Sequence, residues 1–171
     1  MWFTGLPAAG KTTLAESVQA RLQDAKIPCC LLDGDQVRTC LVPPIGYTAR
    51  ARDAFYTTLA RLAAMLARQD LVVLVPSTSY RREYRDAARE LAPAFIEVYV
   101  RASAQECAAR DAKGLYLDAG SGKLRGLPGV DLEYEVPPRP DVVADGGRDA
   151  RAADSVFGLA TGRFSPAQVK A

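Results

Sequence analysis

At 171 residues, with 49% apolar and 25% charged side chains, the chain has the balance of one globular domain with a core of its own. A net charge of +2 is too small for a nucleic-acid or membrane surface, and no apolar run is long enough for a transmembrane helix. The absence of histidine excludes a Ser-His-Asp triad and leaves general-base work to a carboxylate, lysine or tyrosine.

Met1 to Thr4 is apolar and strand-like, with no signal-peptide pattern, and is short enough that further residues are expected upstream. Gly5-Leu6-Pro7-Ala8-Ala9-Gly10-Lys11-Thr12 follows and fits the phosphate-binding loop, a glycine, four free positions, then Gly-Lys-Thr. Gly5 and Gly10 permit backbone angles that turn successive N–H groups onto phosphate oxygens. Lys11 supplies a mobile positive charge, and the Thr12 hydroxyl suits a magnesium ligand. Thr12 to Asp24 reads as a helix with Leu14, Val18 and Leu22 on one side, and its positive end adds to the anion site. Strand, glycine loop and helix together mark a nucleoside triphosphate site.

Ile27 to Leu32 reads as a second strand ending at Asp33-Gly34-Asp35. Strand, helix and strand in so short a span form a βαβ unit, which implies a parallel sheet with ligands beyond the carboxyl ends of its strands. Two carboxylates on that edge can bind magnesium through water or steer a hydroxyl. Val37 to Leu41 suggests a short helix broken by Pro43-Pro44, and Ala49 to Arg68 a long one carrying Phe55, Leu59, Leu62 and Leu66. Leu71 to Val75 is a strand apolar on both faces, and Pro76 to Ser79 its carboxyl-end loop. The next helix is expected to turn Tyr80, Tyr84, Ala87 and Leu91 inward, with Arg81, Arg82, Arg85 and Arg89 on a solvated face.

Ala94 to Val100 is a further strand, and Ser103 to Arg110 a helix that Ser103 can cap. From Ala112 to Val136 the periodicity dissolves, as in a functional lid. Val142-Val143 suggests a last short strand, Arg151 to Leu159 a closing helix, and residues 164–171 a tail. The four cysteines, Cys29, Cys30, Cys40 and Cys107, have no zinc-type spacing, and Cys29 and Cys30 read as reduced core residues, which points to the cytoplasm. With no repeats and no second domain, residues 1–171 read as a single α/β domain of the P-loop NTPase type, a parallel sheet with helices on both faces.

The ordered set of segments resembles the adenylylsulfate (APS) kinases, P-loop enzymes that move the ATP γ-phosphoryl group to the 3′-hydroxyl of adenosine 5′-phosphosulfate. The likeness rests on residues 2–6, residues 32–38 (Leu-Asp-Gly-Asp-Gln-Val-Arg), Ile45-Gly46-Tyr47, the arginine-rich stretch 82–89, residues 110–116 (Arg-Asp-Ala-Lys-Gly-Leu-Tyr), residues 126–131 and Tyr134-Glu135. It implies that Gly5, Ala8, Ala9, Gly10, Lys11, Thr12 and Thr13 hold ATP, with Thr12 and Asp33 on Mg2+. Arg110 would pack on the ATP adenine and Lys113 would act from the lid. On the acceptor side it implies Asp35 to orient the hydroxyl, Arg38 and Arg52 to hold the phosphosulfate, and Tyr47 to stack on the acceptor base. Thr78, Ser79, Phe55, Lys113 and Leu127 complete that side. Lys11, Asp33, Asp35 and Arg38 would carry the catalysis.

The departures from the family pattern fall mostly on the acceptor half. Leu127 stands where a lid phenylalanine is usual, and Phe55-Tyr56-Thr57-Thr58 where the long helix usually reads Asn-Ile-Arg-Arg. Tyr80 replaces a proline, and Ala8 a glycine of the loop. Losing one aromatic face of a base stack costs about 1–3 kcal/mol, and Phe55 is a candidate for the missing ring. Two other readings stand beside the family's own: the same chemistry on another nucleotide or small alcohol, and a nucleotide-binding domain with a regulatory role. Survival of Lys11, Asp33 and Asp35 counts against the second. Homodimerisation, or association with a sulfate adenylyltransferase, is among the arrangements the resemblance implies.

Overall fold

The computed structural model describes residues 1–163, so the expected tail at 164–171 lies outside the described residues. Five strands, β1 (Trp2–Thr4), β2 (Cys29–Leu31), β3 (Val72–Pro76), β4 (Glu97–Arg101) and β5 (Val142–Asp145), form one all-parallel sheet in the order β2-β3-β1-β4-β5. β1 is central, and all five residues of β3 are buried, as its unbroken apolar run requires.

Among the described residues seven helices join or follow the strands: α1 (Lys11–Asp24), α2 (Gly34–Cys40), α3 (Ala49–Ala67), α4 (Arg82–Leu91), α5 (Ala104–Ala109), α6 (Leu115–Gly120) and α7 (Ala150–Arg163). Leu14, Val18 and Leu22 of α1 pack with Ala153 and Val156 of α7 against Phe3, Leu74 and Val98 on one face of the sheet. Phe55 and Leu59 of α3 and Tyr84 of α4 pack against Trp2, Val73 and Val75 on the other. The period-2 alternation of the strands divides these two cores.

Helix starts follow local chemistry. Asp33 caps α2 by accepting from the N–H groups of Asp35 and Gln36, Thr48 caps α3, and Ser103 with Glu106 forms a capping box on α5. The stretch 112–136 is not wholly irregular: it contains α6, whose first N–H groups are held by the Asp111 carboxylate. The expected inner face of α4 is corrected. Tyr80 precedes the helix, Ala87 is exposed, and Arg85 is 1% exposed. Arg85 donates to Glu97 Oε1 at 2.9 Å, to the Ser79 carbonyl at 2.7 Å and to the Glu135 carbonyl at 2.7 Å. A periodicity count cannot anticipate a buried cation whose partners lie on three separate segments outside its helix.

All four cysteines are free thiols, and Cys29 and Cys30 are half-buried against opposite cores. No helix among the described residues is long and apolar enough to cross a membrane.

Candidate functional site

The carboxyl ends of β1, β2, β3 and β5 open into a cavity of about 850 Å3, near the top of the roughly 300–1,000 Å3 usual for small-molecule pockets. Gly10 takes φ 98° and turns the chain into α1, whose first turn carries no acidic residue to offset the positive helix end. Lys11 Nζ donates to the Gly5 and Leu6 carbonyls at 3.1 and 2.8 Å. Burial pushes Lys11 down to about 8, while the nearby Asp35 and Asp33 carboxylates pull the other way.

Thr12 Oγ1 donates to Asp33 Oδ2 at 2.7 Å, joining the loop to the end of β2. A hydroxyl and a carboxylate form a hard-oxygen pair of the kind magnesium takes together with phosphate oxygens and water. No group of three or more acidic, histidine or cysteine side chains suited to a metal occurs among the described residues. The Thr12–Asp33 pair fits a cation carried largely by phosphate. Asp35, two residues on, lines the same cavity and is ion-paired with Lys113 from the 112–136 segment. That hydrogen bond, ahead of any other influence, raises the Lys113 pKa.

Across the cavity, the Arg38 guanidinium lies 3.8 Å from the centroid of the Phe55 ring and 4.4 Å from that of Tyr47. It also donates to the Ile45 and Gly46 carbonyls. Arg52 is 7% exposed and donates to the Tyr47 carbonyl at 2.8 Å and the Gly126 carbonyl at 2.6 Å. Both arginines are thus held in place without an anion, on one wall that Leu127 and Thr78 continue. Phe55 is 2% exposed beneath Arg38, so its ring is already covered by a cation.

Of the residues expected at the site, Ala8, Gly10, Lys11, Thr12 and Thr13 line the cavity on the loop side. Asp33, Asp35, Arg38, Tyr47, Arg52 and Phe55 line it from β2 to α3, and Thr78, Arg110, Lys113 and Leu127 complete it. Three of the expected residues do not line the cavity. Ser79 is fully buried outside the cavity, with its hydroxyl accepting from Trp2 Nε1 at 3.0 Å and paired with Ser77 Oγ. Ala9 has its side chain in the core and its N–H on the Leu6 carbonyl. Gly5 is buried below the cavity, where its carbonyl serves Lys11.

Sequence reasoning missed the loop after β5. Asp145, Gly146, Gly147 and Arg148 line the cavity beside Arg110. The available signal was the Gly-Gly pair directly after a predicted parallel strand, on the edge where such sheets bind ligands.

The family model described as adenylylsulphate kinase matches residues 1–145. The adenylyl-sulfate kinase of a Synechococcus strain is 42% identical over 143 residues, 84% of this chain and 81% of that protein. A protein of Sorangium cellulosum named "Probable bifunctional SAT/APS kinase 2" is 36% identical over 151 residues, which are 88% of this chain and 26% of that one. Among solved structures, the Mycobacterium tuberculosis APS kinase in complex with AMPPNP and APS superposes with a TM-score of 0.86 at 34% identity, covering 93% of this chain and 95% of that one.

Proposed function

This chain belongs to the adenylylsulfate kinase family, and from that premise we propose that its cavity moves the γ-phosphoryl group of ATP to the 3′-hydroxyl of adenosine 5′-phosphosulfate. The observation that carries the reading is the convergence of Lys11, the Thr12–Asp33 pair and Asp35 on one cavity with room for an alcohol between them. The acceptor oxygen forms a bond to the γ-phosphorus as the bond to the β–γ bridging oxygen breaks. ADP leaves, and the hydroxyl proton passes to Asp35 or solvent. The products are ADP and 3′-phosphoadenylylsulfate.

Such transfer needs positioning and charge stabilisation more than covalent help. Lys11 and the amides of the loop hold the phosphates, and Arg110 packs on the adenine. Thr12 and Asp33 would hold Mg2+, which when bound offsets negative charge on the phosphates. Arg38 and Arg52 hold the phosphosulfate. The 112–136 segment acts as the lid of a single-domain kinase, excluding water while Lys113 exchanges Asp35 for a phosphate oxygen. Reduced thiols fit a cytoplasmic enzyme, and the matching stretch within a longer bifunctional relative supports association with a sulfate-activating partner.

A second reading, the same chemistry on another nucleotide or small alcohol, is favoured by one feature: Leu127 and the covered Phe55 offer the acceptor base no free second ring. Transfer rates with adenosine 5′-phosphosulfate against a panel of nucleotides and alcohols separate the two. Faster transfer to the phosphosulfate than to any other acceptor is expected. No transfer to it at millimolar concentration, with ATP still bound, would overturn the assignment.

A further inference from the structure

The phenol of Tyr116 donates a 3.0 Å hydrogen bond to the carbonyl of Pro7, from α6 to the middle of the phosphate loop and across 109 residues of sequence. The geometry points to Tyr116 as a positioning residue that aims the Ala8 amide at the nucleotide's phosphates.

The inference rests on the kinase reading and concerns its nucleotide half alone. Pro7 has no N–H, so its carbonyl is the one backbone polar group by which this residue can be held. A trans peptide is planar, with C=O and N–H pointing opposite ways. Holding the Pro7 carbonyl outward on Tyr116 therefore turns the next N–H, that of Ala8, inward, and Ala8 lines the cavity. The preceding carbonyls are also committed, Gly5 to Lys11 and Leu6 to Lys11 and the Ala9 N–H.

An outside hold is needed because Ala8 takes φ 60°, a left-handed conformation that costs a residue with a Cβ free energy and that glycine would adopt freely. Tyr116 is itself well fixed. Its ring is half-buried against the core that contains α1, and its N–H is held by Asp111 at 2.7 Å. A second lid contact falls on the neighbouring residue. Gly129, at φ 88°, lies so close to Leu6 that an added Cβ would be 3.2 Å from Cδ1. Leu6 and Pro7 are thus gripped by two parts of the 112–136 segment, and the loop's shape depends on the lid.

Tyr116→Phe removes the hydroxyl and keeps the ring, so the variant is expected to fold. The measurement is the affinity for AMPPNP and for AMP, by calorimetry on the full chain, with Tm as a check on folding. The proposal expects AMPPNP to bind about tenfold more weakly, AMP to bind as before because it lacks the β- and γ-phosphates, and KM for ATP to rise with kcat little changed. Equal losses for both ligands, or no loss for either, would overturn it, as would a fall in Tm without a change in the AMPPNP-to-AMP ratio. Neither measurement requires transfer to an acceptor, so a chain inactive on adenosine 5′-phosphosulfate would overturn the acceptor assignment and leave this test readable.

Discussion

Thr12 Oγ1 and Asp33 Oδ2 are 2.7 Å apart, a hydrogen bond that ties the last residue of the phosphate loop to the tip of the second strand. In the proposed mechanism the two side chains serve one ion and one another, so their losses should not add. Thr12→Val and Asp33→Ala are each expected to lower kcat/KM by about a hundredfold, roughly 3 kcal/mol, and the double variant to be little worse than either. Steady-state rates across a magnesium series give the coupling; simple additivity would show that the residues act separately.

In the proposed mechanism Lys11→Ala removes the cation at the phosphates, and Asp35→Asn the carboxylate that faces the acceptor hydroxyl. Each is expected to reduce turnover a hundredfold or more, roughly 3 kcal/mol in the barrier. Near wild-type turnover in either variant would remove that residue from the mechanism.

Ligand-free Lys11 titrates at about 8 because burial disfavours its charge. A lysine depressed below its unfolded value destabilises the free fold at neutral pH. The destabilisation is relieved as pH rises from about 8 towards 10.5, where the unfolded chain binds more protons. Phosphate binding requires the charged form. AMPPNP affinity should therefore hold steady below about pH 7.5 and fall by roughly tenfold per unit above about pH 8. Calorimetry from pH 7 to 9.5 checks this, with Lys11→Ala expected to flatten the profile.

Gly10 and Gly147 meet backbone to backbone: a Cβ on Gly10 would lie 2.6 Å from the Gly147 nitrogen. Gly147→Ala puts a methyl against the Gly10 backbone, where overpacking costs about 1–3 kcal/mol. KM for ATP should rise about tenfold as the loop is displaced. Gly158→Ala, in α7 with open space around it, is the contrasting case and should stabilise by up to about 1 kcal/mol. Thermal melts and ATP saturation curves of the two variants make the comparison.

Arg85→Met leaves the Glu97 carboxylate, 8% exposed, with its bond to the half-exposed Arg89, and leaves two carbonyls without their donor. Breaking a buried pair from one side costs about 3 kcal/mol, a fall in Tm of roughly 10 °C for a chain of this size. Arg85→Met with Glu97→Leu should recover part of that loss, since the unpaired buried charge is gone. A double variant no more stable than Arg85→Met would show that the carbonyl contacts carry the effect.

The loop side of the cavity was legible because its parts are contiguous. Residues 5 to 13 need only their own glycines, one lysine and the start of a helix to form an anion cradle, and the βαβ order sets the sheet edge on which they lie. Asp33 and Asp35 could be assigned to that edge for the same reason. The acceptor wall was harder to read. Phe55 was proposed as a replacement ring, yet the fold places the Arg38 guanidinium on it, a pairing between α2 and α3 that no spacing rule contains. Ser79 sits in the right loop, but its hydroxyl turns into the core towards Trp2.

Local pattern, then, determined which elements form and which end of each strand carries chemistry, because capping, periodicity and glycine conformations act within a few residues. Only the tertiary structure decided what meets across the cavity. Gly147 against Gly10, Arg85 on the Glu135 carbonyl and Tyr116 on Pro7 are contacts between parts of the chain far apart in sequence. Such contacts are selected by packing of the whole domain, where burial and hydrogen-bond satisfaction are settled together.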